Sequence, residues 1–237
     1  MTKKILVFGC SFSRGSYTIG GEKNKWTLGD IPDTLENSRG WFYYVDYFKN
    51  KDVTICVMAG QGYWGWYQTF SFMLENNMLS RYDEIWIQET LEPRAAINSW
   101  KETSKILNSF YPVREGFKFI SIRTSSAMLL NRSNYKSLDE EFHGWTSYYL
   151  NISKYSAFKI QEICKSLNIP GYVWSMNDPV MECNYFKRIP NVITVRRKLH
   201  KEGLIVKDET NKQATHQTEE GNKYIANLIN ENINTVS

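Results

Sequence analysis

A serine near the start of the chain and a histidine near its end are the residues whose types could do chemistry together. Ser11 lies in "GCSFSRG", directly after the apolar run "KILVF". A serine hydroxyl becomes a nucleophile when a base takes its proton, and a tight turn with glycine beside it exposes Oγ and directs backbone N–H groups at a developing oxyanion. More often, a serine after a strand only satisfies backbone groups of the turn. Without a base nearby, these residues favour that structural role.

The candidate base is His216, one of 3 histidines in the chain. His143 in "EFHGW" and His200 in "RKLHKEG" stand among charged or aromatic residues, as surface or packing histidines do. His216 in "QATHQTEEG" belongs to a polar loop directly before the predicted last helix, where it can lean over the carboxyl edge of a sheet. That position suits a general base.

The elements that must position these two residues alternate between strand and helix. The predicted strands are "KILVF", "VTICVM", "EIWIQET", "FKFISIRT" and "IPGYVWSM", and helical spacing is found in "GWFYYVDYFKN", "YQTFSFMLENNML", "YSAFKIQEICKSLN" and "TEEGNKYIANLINENI". In the last of these, Thr218 can cap the helix, and the apolar stripe consists of Tyr224, Ile225, Leu228 and Ile229. Buried strands that alternate with helices predict a mostly parallel sheet covered on both faces, with its ligand site at the carboxyl ends of the strands.

Composition limits the domain count and the partners. The 237 residues, 42% of them hydrophobic, suit one α/β domain over residues 1–237. Lysine and arginine number 29 against 25 acidic residues, without a block of like charge, so no nucleic-acid partner is indicated. The 4 cysteines lack metal-ligand spacing, and Cys10 and Cys56 stand in or beside apolar runs, which indicates reduced, structural thiols.

Targeting signals are not recognisable in the chain. The apolar run in "MTKKILVFGC" is too short for a signal-peptide core, and no later stretch is long and apolar enough to span a membrane. We therefore expect a cytoplasmic protein without a membrane partner, and a virion protein released by lysis would have the same features. The sequence leaves the oligomeric state open.

Aromatic residues are concentrated in "GQGYWGWYQTF". The glycines on either side of Tyr63, Trp64 and Trp66 predict a loop. Aromatic rings at loop ends can stack on sugars, whereas the commoner fate of such residues is core packing. Both interpretations remain open for these three residues.

Four blocks of the sequence together resemble a known family, the SGNH/GDSL hydrolases. "FGCSFSRG" is similar to the family's first block, which carries the nucleophilic serine, and "THQTEEGNKYIANLI" is similar to its last block, in which a histidine precedes a Glu-Gly helix. "MAGQGYWG" resembles the second block. In place of the usual Gly-x-Asn-Asp of the third block the chain has "IQETLEPR", similar to a divergent branch that is frequent among phage-encoded members.

The resemblance implies a flavodoxin-like, three-layered α/β/α fold and a serine hydrolase mechanism. Ser11 corresponds to the nucleophile and His216 to the base. Gly60, together with the backbone N–H of Ser11, corresponds to the oxyanion donors. Thr90 or Glu92 can occupy the space of the family's asparagine donor. The later Asn177-Asp178 pair follows a different strand and is not taken as that block.

Departures from the family pattern concern the acid of the triad above all. The family places aspartate three residues before the histidine, where this chain has Gln213. Glutamine can fix a tautomer but cannot stabilise an imidazolium as a carboxylate does. Asp208 or Glu209, slightly upstream, can serve instead, and otherwise the site is a Ser-His dyad or is inactive. The family's aspartate next to the serine is Cys10 here.

Arg94 in "LEPRAA" follows the third predicted strand, near the expected catalytic edge. One interpretation is a surface salt bridge with Glu92 or another carboxylate. The other is that Arg94 orients an anionic substrate.

Three functions from different classes follow from these features. The first is hydrolysis of a carboxylic ester, by an esterase or deacetylase acting on a small molecule or an acylated glycan, with no metal or organic cofactor. The second is a weak or inactive glycan-binding protein of the same fold. The third, nucleotide binding, requires a phosphate-binding glycine pattern that "GCSFSRG" lacks.

Overall fold

The structure is a computed structural model that describes residues 2–10, 40–57, 62–89, 96–98, 109–112, 117–121, 127–129, 145–175, 179, 181–189, 195–207 and 215–236. Within these ranges only the backbone is described at 57, 96–98, 109–112, 117–121, 127–129, 145–149, 195–197, 205–207 and 215–216.

Among the described residues, a seven-stranded sheet lies at the centre of the fold. Its strands occur in the order β5-β6-β2-β1-β3-β8-β9, and every neighbouring pair is parallel except β5 and β6. The strand bounds in chain order are β1 Lys4–Gly9, β2 Asp52–Val57, β3 Glu84–Glu89, β4 Ala96–Asn98, β5 Ser109–Pro112, β6 Phe117–Ser121, β7 Ala127–Leu129, β8 Gly171–Ser175, β9 Lys187–Arg188, β10 Ile205–Lys207 and β11 Thr215–Gln217. Strands β4 and β7, and likewise β10 and β11, form separate antiparallel pairs.

Strand β1 lies between β2 and β3, which makes it the central strand of the seven-stranded sheet. Its register runs from Lys4 opposite Asp52 to Gly9 opposite Val57. All of its residues after Lys4 are buried. An apolar strand buried on both faces is typical of a parallel sheet with helices on each side.

Two apolar cores cover the two faces of the sheet. The helices are α1 Tyr63–Glu75, α2 Trp145–Ser166, α3 Val195–Lys201 and α4 Glu219–Ile233, and short 3-10 helices span Trp41–Tyr44, Asp46–Phe48 and Leu79–Arg81. One core joins the sheet to α1 and α2, and the other joins it to α4 and the first two 3-10 helices. The predicted three-layered α/β/α fold is therefore confirmed. None of the described helices has the length and apolar character needed to cross a membrane.

The last helix forms as the sequence predicts. Thr218 caps α4, its Oγ1 accepting a hydrogen bond of 3.1 Å from the Gly221 amide. Ile225 and Ile229 are fully buried, and Tyr224 and Leu228 of the same stripe pack against that core while partly exposed. Amphipathic spacing and a capping hydroxyl were sufficient signals here.

One predicted element differs from the structure. The stretch "GWFYYVDYFKN" forms two 3-10 helices, because Val45 between them is extended at φ −77° and ψ 117°. The aromatic rings of this stretch still face the core, with Trp41 and Phe48 buried. The fourth predicted strand is confirmed as β6, which pairs with β2 on the side of the sheet away from β3. Without β6 and β5, the order β2-β1-β3-β8-β9 is flavodoxin-like.

Candidate functional site

The carboxyl edge of the parallel strands is the part of the fold where a ligand site is expected. Gly9, Val57, Glu89 and Ser175 end the four neighbouring strands β1, β2, β3 and β8 at this edge. Cys10, the residue before Ser11, is fully buried. The expected burial of Cys10 and Cys56 is confirmed, and neither cysteine forms a disulfide within the part of the chain that the structure describes.

Most of the predicted site residues lie outside the described residues: Ser11, Gly60, Thr90, Glu92, Arg94, Asn177, Asp178, Asp208, Glu209 and Gln213. The backbone of His216 lies in β11, opposite Val206 of β10. Its side chain is not described. The roles of all these residues, including the replacement of the triad acid by Asp208, stay predictions.

Tyr63, Trp64 and Trp66 are in a helix, so the loop predicted for them is wrong. Gly62 precedes the helix in an extended conformation, and α1 begins at Tyr63. Tyr63 and Trp66 are each only 2% exposed and belong to the core between α1 and the sheet, whereas Trp64 is half-buried. Burial of two large rings on one helix face outweighs the low helix propensity of Gly65.

The last residue of β3 is a buried glutamate with partners from three other segments. The hydroxyl of Tyr63 donates to Glu89 Oε1 over 2.9 Å, and the backbone amide of Met181 donates to the same oxygen over 2.7 Å. Arg188 in β9 forms an ion pair with Oε2, with its Nη1 at 2.6 Å. Its Nη2 also donates to the carbonyl oxygen of Met181 over 2.7 Å. Glu89, in β3, is therefore connected to α1, to β9 and to the segment between β8 and β9.

Charge pairing explains why a carboxylate is tolerated in this core. The Glu89 side chain is 0% exposed and that of Arg188 is 20% exposed. Burial and the Glu89 charge together raise the pKa of Tyr63 well above its usual 10, so its hydroxyl stays a donor. Burial alone would lower the pKa of Arg188, but the hydrogen bond and charge of Glu89 raise it, so the cation is retained. With both oxygens bonded, Glu89 holds neighbouring segments in place and is not poised as a general base.

The residues after His216 are held by close packing at the start of α4. The amide of Thr218 donates to the Leu204 carbonyl over 2.9 Å, and Gln217 Nε2 donates to Asn222 Oδ1 over 3.1 Å. A Cβ on Gly221 would lie 2.7 Å from the Leu204 oxygen and 2.8 Å from Gln217 Cβ, so only glycine allows this approach. These hydrogen bonds and the close approach at Gly221 thus fix the backbone after His216 against the start of α4.

Sequence reasoning missed Glu89 and Arg188. The available signal was an acidic residue at the end of an otherwise apolar strand, because a buried charge requires a partner. That signal does not name the partner. Arg188 is 99 residues away along the chain and Met181 is 92 residues away.

Comparison with known proteins yields a structural neighbour and no sequence relative. No family model and no curated protein matches the chain. A solved structure of an acetyl-xylooligosaccharide esterase from Geobacillus, carrying one substitution, is similar over 98% of this chain and 94% of its own, with a TM-score of 0.50 and 10% sequence identity. The two proteins thus share the α/β fold that the sequence predicts. At that identity the likeness extends to the fold alone, and the phage-type branch and the cytoplasmic location stay predictions.

Proposed function

We propose that the protein hydrolyses carboxylic esters, with Ser11 as nucleophile and His216 as general base. The observation that carries this proposal is the strand order β2-β1-β3. Ser11 comes two residues after the end of β1, Gly60 three residues after the end of β2, and Thr90 directly after β3. The nucleophile thus follows the central strand and the two oxyanion donors follow its neighbours, and adjacent strands are about 4.8 Å apart.

In this mechanism Ser11 Oγ attacks the acyl carbon while His216 takes its proton. Gly60, Thr90 and the Ser11 amide stabilise the oxyanion of the tetrahedral intermediate. Collapse of the intermediate breaks the ester bond, and the alcohol leaves with the proton from His216. Water, deprotonated by His216, then attacks the acyl-enzyme and releases the carboxylic acid and the free serine.

For the substrate we propose an acylated glycan, with deacetylation as the reaction. The support is the fold likeness to an enzyme described as an acetyl-xylooligosaccharide esterase. Half-buried Trp64, near the start of α1, is the member of the aromatic group with ring surface left for a sugar.

A fluorophosphonate probe tests the nucleophile. The parent protein is expected to be labelled and the Ser11→Ala variant is not, since the probe reacts with activated serines. Ser13→Ala, two residues further along the same stretch, is the matched control and is expected to keep full labelling. Equal labelling of the parent and of Ser11→Ala excludes Ser11 from the mechanism.

A second candidate function, glycan binding without catalysis, is favoured by Gln213 at the position of the triad acid. If the dyad operates, Gln213→Asp returns a carboxylate to the imidazole and raises the rate of hydrolysis of p-nitrophenyl acetate, since loss of that acid costs about 10⁴ in a serine protease. The gain must disappear when His216→Ala is added. Unchanged activity in Gln213→Asp indicates that Asp208 or Glu209 already supplies the acid. Binding of acetylated xylo-oligosaccharide by parent and variant without any hydrolysis establishes the binding function instead.

A further inference from the structure

The network around Glu89 includes two residues that are close in sequence to the proposed oxyanion donors. Tyr63, whose hydroxyl donates to Glu89 over 2.9 Å, comes three residues after Gly60. Glu89 itself directly precedes Thr90. A single buried hydrogen bond thus joins the end of β3 to the start of α1, with one proposed donor on the chain next to each partner.

We propose that Glu89 is a positioning residue for the oxyanion donors and that Tyr63 acts through it. This inference rests on the proposed function. Stabilisation of an oxyanion requires donors that are already in place when the charge develops, and a misplacement of about 1 Å can cost about 10²-fold in rate. The hydrogen bond between Tyr63 and Glu89 fixes the distance between the start of α1 and the end of β3, the elements next to Gly60 and Thr90 in the sequence.

The burial of Tyr63 supports this role over contact with substrate. Its side chain is 2% exposed, and its ring packs edge-on against Trp66 with the centroids 5.1 Å apart. The hydroxyl is occupied by Glu89. A substrate ring could therefore reach Tyr63 only by displacing core contacts.

Arg188 completes the arrangement because it pairs the buried carboxylate of Glu89 with a positive charge. A buried charge requires a partner, and hydrogen bonds to a charged group are stronger than those between neutral groups. With Arg188 bonded to Oε2, the other oxygen accepts from both Tyr63 and the Met181 amide. The ion pair thus strengthens the bond that joins β3 to α1.

The test compares Tyr63→Phe with Tyr47→Phe, each of which removes one hydroxyl that donates to a buried glutamate of β3. Tyr47 donates to Glu84 over 2.8 Å at the opposite end of the strand. For Tyr63→Phe, kcat for p-nitrophenyl acetate is expected to fall about tenfold with KM unchanged, since donor alignment affects the transition state. The rate of fluorophosphonate labelling falls by the same factor. Tyr47→Phe keeps the parent kcat.

Three outcomes overturn the proposal. An increase in KM with kcat unchanged makes Tyr63 a substrate contact. Equal losses of kcat in both variants indicate a general effect of stability. Unchanged kinetics in Tyr63→Phe remove the hydroxyl from the mechanism.

Two further measurements keep the proposal testable if Tyr63→Phe does not fold or the parent is inactive. Arg188→Lys retains the positive charge and loses the second donor to Met181, and it is expected to lower kcat in the same way. Hydrogen exchange of the Met181 amide, which donates to Glu89, does not depend on activity. Faster exchange of the Met181 amide in Arg188→Lys than in Tyr47→Phe supports the inference that Arg188 strengthens the hydrogen bonds to Glu89. Equal exchange in the two variants contradicts it. An inactive parent with faster Met181 exchange in Arg188→Lys refutes the proposed function and the positioning role of Glu89, and leaves Glu89 as a purely structural connection.

Discussion

Two buried glutamates occupy the two ends of β3, Glu84 at the amino end and Glu89 at the carboxyl end. Both side chains are 0% exposed, and each carboxylate is paired with one cation and accepts from one tyrosine hydroxyl. By burial and charge pairing alone the two residues are equivalent. Their difference lies in which segments they connect.

Glu84 connects elements that lead away from the proposed site. It pairs with Lys3, just before β1, and accepts hydrogen bonds from Tyr47 and from the indole of Trp86 on its own strand. Lys51 lies over the Tyr47 ring, its Nζ 3.7 Å from the centroid. This cluster closes the amino end of the sheet, where parallel α/β folds do not bind ligands.

Glu89 connects elements at the edge where such folds do bind ligands. Its partners are Tyr63 of α1, Met181 of the segment between β8 and β9, and Arg188 of β9. Each glutamate is next to a tyrosine whose pKa is raised, so a buried charge beside a residue with a shifted pKa is not by itself evidence of a functional site. Position relative to the strand ends distinguishes a positioning role from a purely structural one.

The largest expected effect is the loss of stability when either carboxylate is removed, and the size of this loss is expected to differ between the two ends of β3. Glu89→Ala leaves Arg188, 20% exposed, without its counter-ion and is expected to lower the free energy of unfolding by about 3–5 kcal/mol. Glu84→Ala is expected to cost less, because the Lys3 side chain is 38% exposed and can turn to water. Urea unfolding followed by far-UV circular dichroism measures both values. A larger loss for Glu84→Ala would show that exposure of the cation does not decide the cost.

Substitution of two glycines, one near each edge of the sheet, is expected to lower the stability by a smaller amount. In Gly171→Ala, at the amino end of β8, the new Cβ would lie 2.3 Å from the ring of buried Phe186. In Gly221→Ala, next to the His216 segment, it would lie 2.7 Å from the Leu204 oxygen. Overpacking of this kind costs about 1–3 kcal/mol, so both variants are expected to unfold at lower urea concentration.

Ester hydrolysis by the folded protein then separates the two glycine variants. Gly221→Ala is expected to lower kcat because it shifts the backbone of His216, the proposed general base, and Gly171→Ala is expected to keep the parent kcat. Gly203→Ala, at φ +70° with nothing within 4 Å of its added Cβ, controls for backbone strain near α4. Loss of kcat in Gly171→Ala would break the division between the edges.

The smallest expected effect is the loss of folding stability at alkaline pH. Burial raises the pKa of Tyr47 from 10 to about 12, with Glu84 adding to burial and Lys3 opposing it. Burial alone would lower the pKa of Lys3, but its hydrogen bonds to Glu84 and Tyr47 raise it above 10.5. Both groups hold their protons more tightly when folded. The stabilisation from Tyr47 is complete below pH 10 and is lost as the pH rises through about 12.

The urea midpoint between pH 10 and 12 measures this loss. In Tyr47→Phe the midpoint is expected to fall less steeply over that interval than in the parent. Tyr63→Phe removes a second tyrosine whose pKa burial raises, so it is expected to flatten the curve as well. Identical slopes in the parent and Tyr47→Phe would mean that the amino-end cluster does not contribute to alkaline unfolding.

The sequence by itself determined the fold class and the elements whose signals are local. Apolar runs defined β1, β2 and β3, and alternation with helices indicated a parallel sheet. Thr218 and the stripe of α4 were readable because a cap and a helical period involve residues at most a few turns apart. Ser11 and His216 were identified as candidates from motifs, and their geometry stays a prediction.

Only the tertiary structure decided the features that depend on residues distant in sequence. Tyr63 and Trp66 are helical despite the glycines between and beside them, because burial against the sheet outweighs local propensity. Strand β6 lies beside β2, since strand pairing is a choice among distant edges. Glu89 and Arg188 meet across 99 residues of chain. A buried charge announces that a partner must exist, and only the folded chain specifies which residue it is.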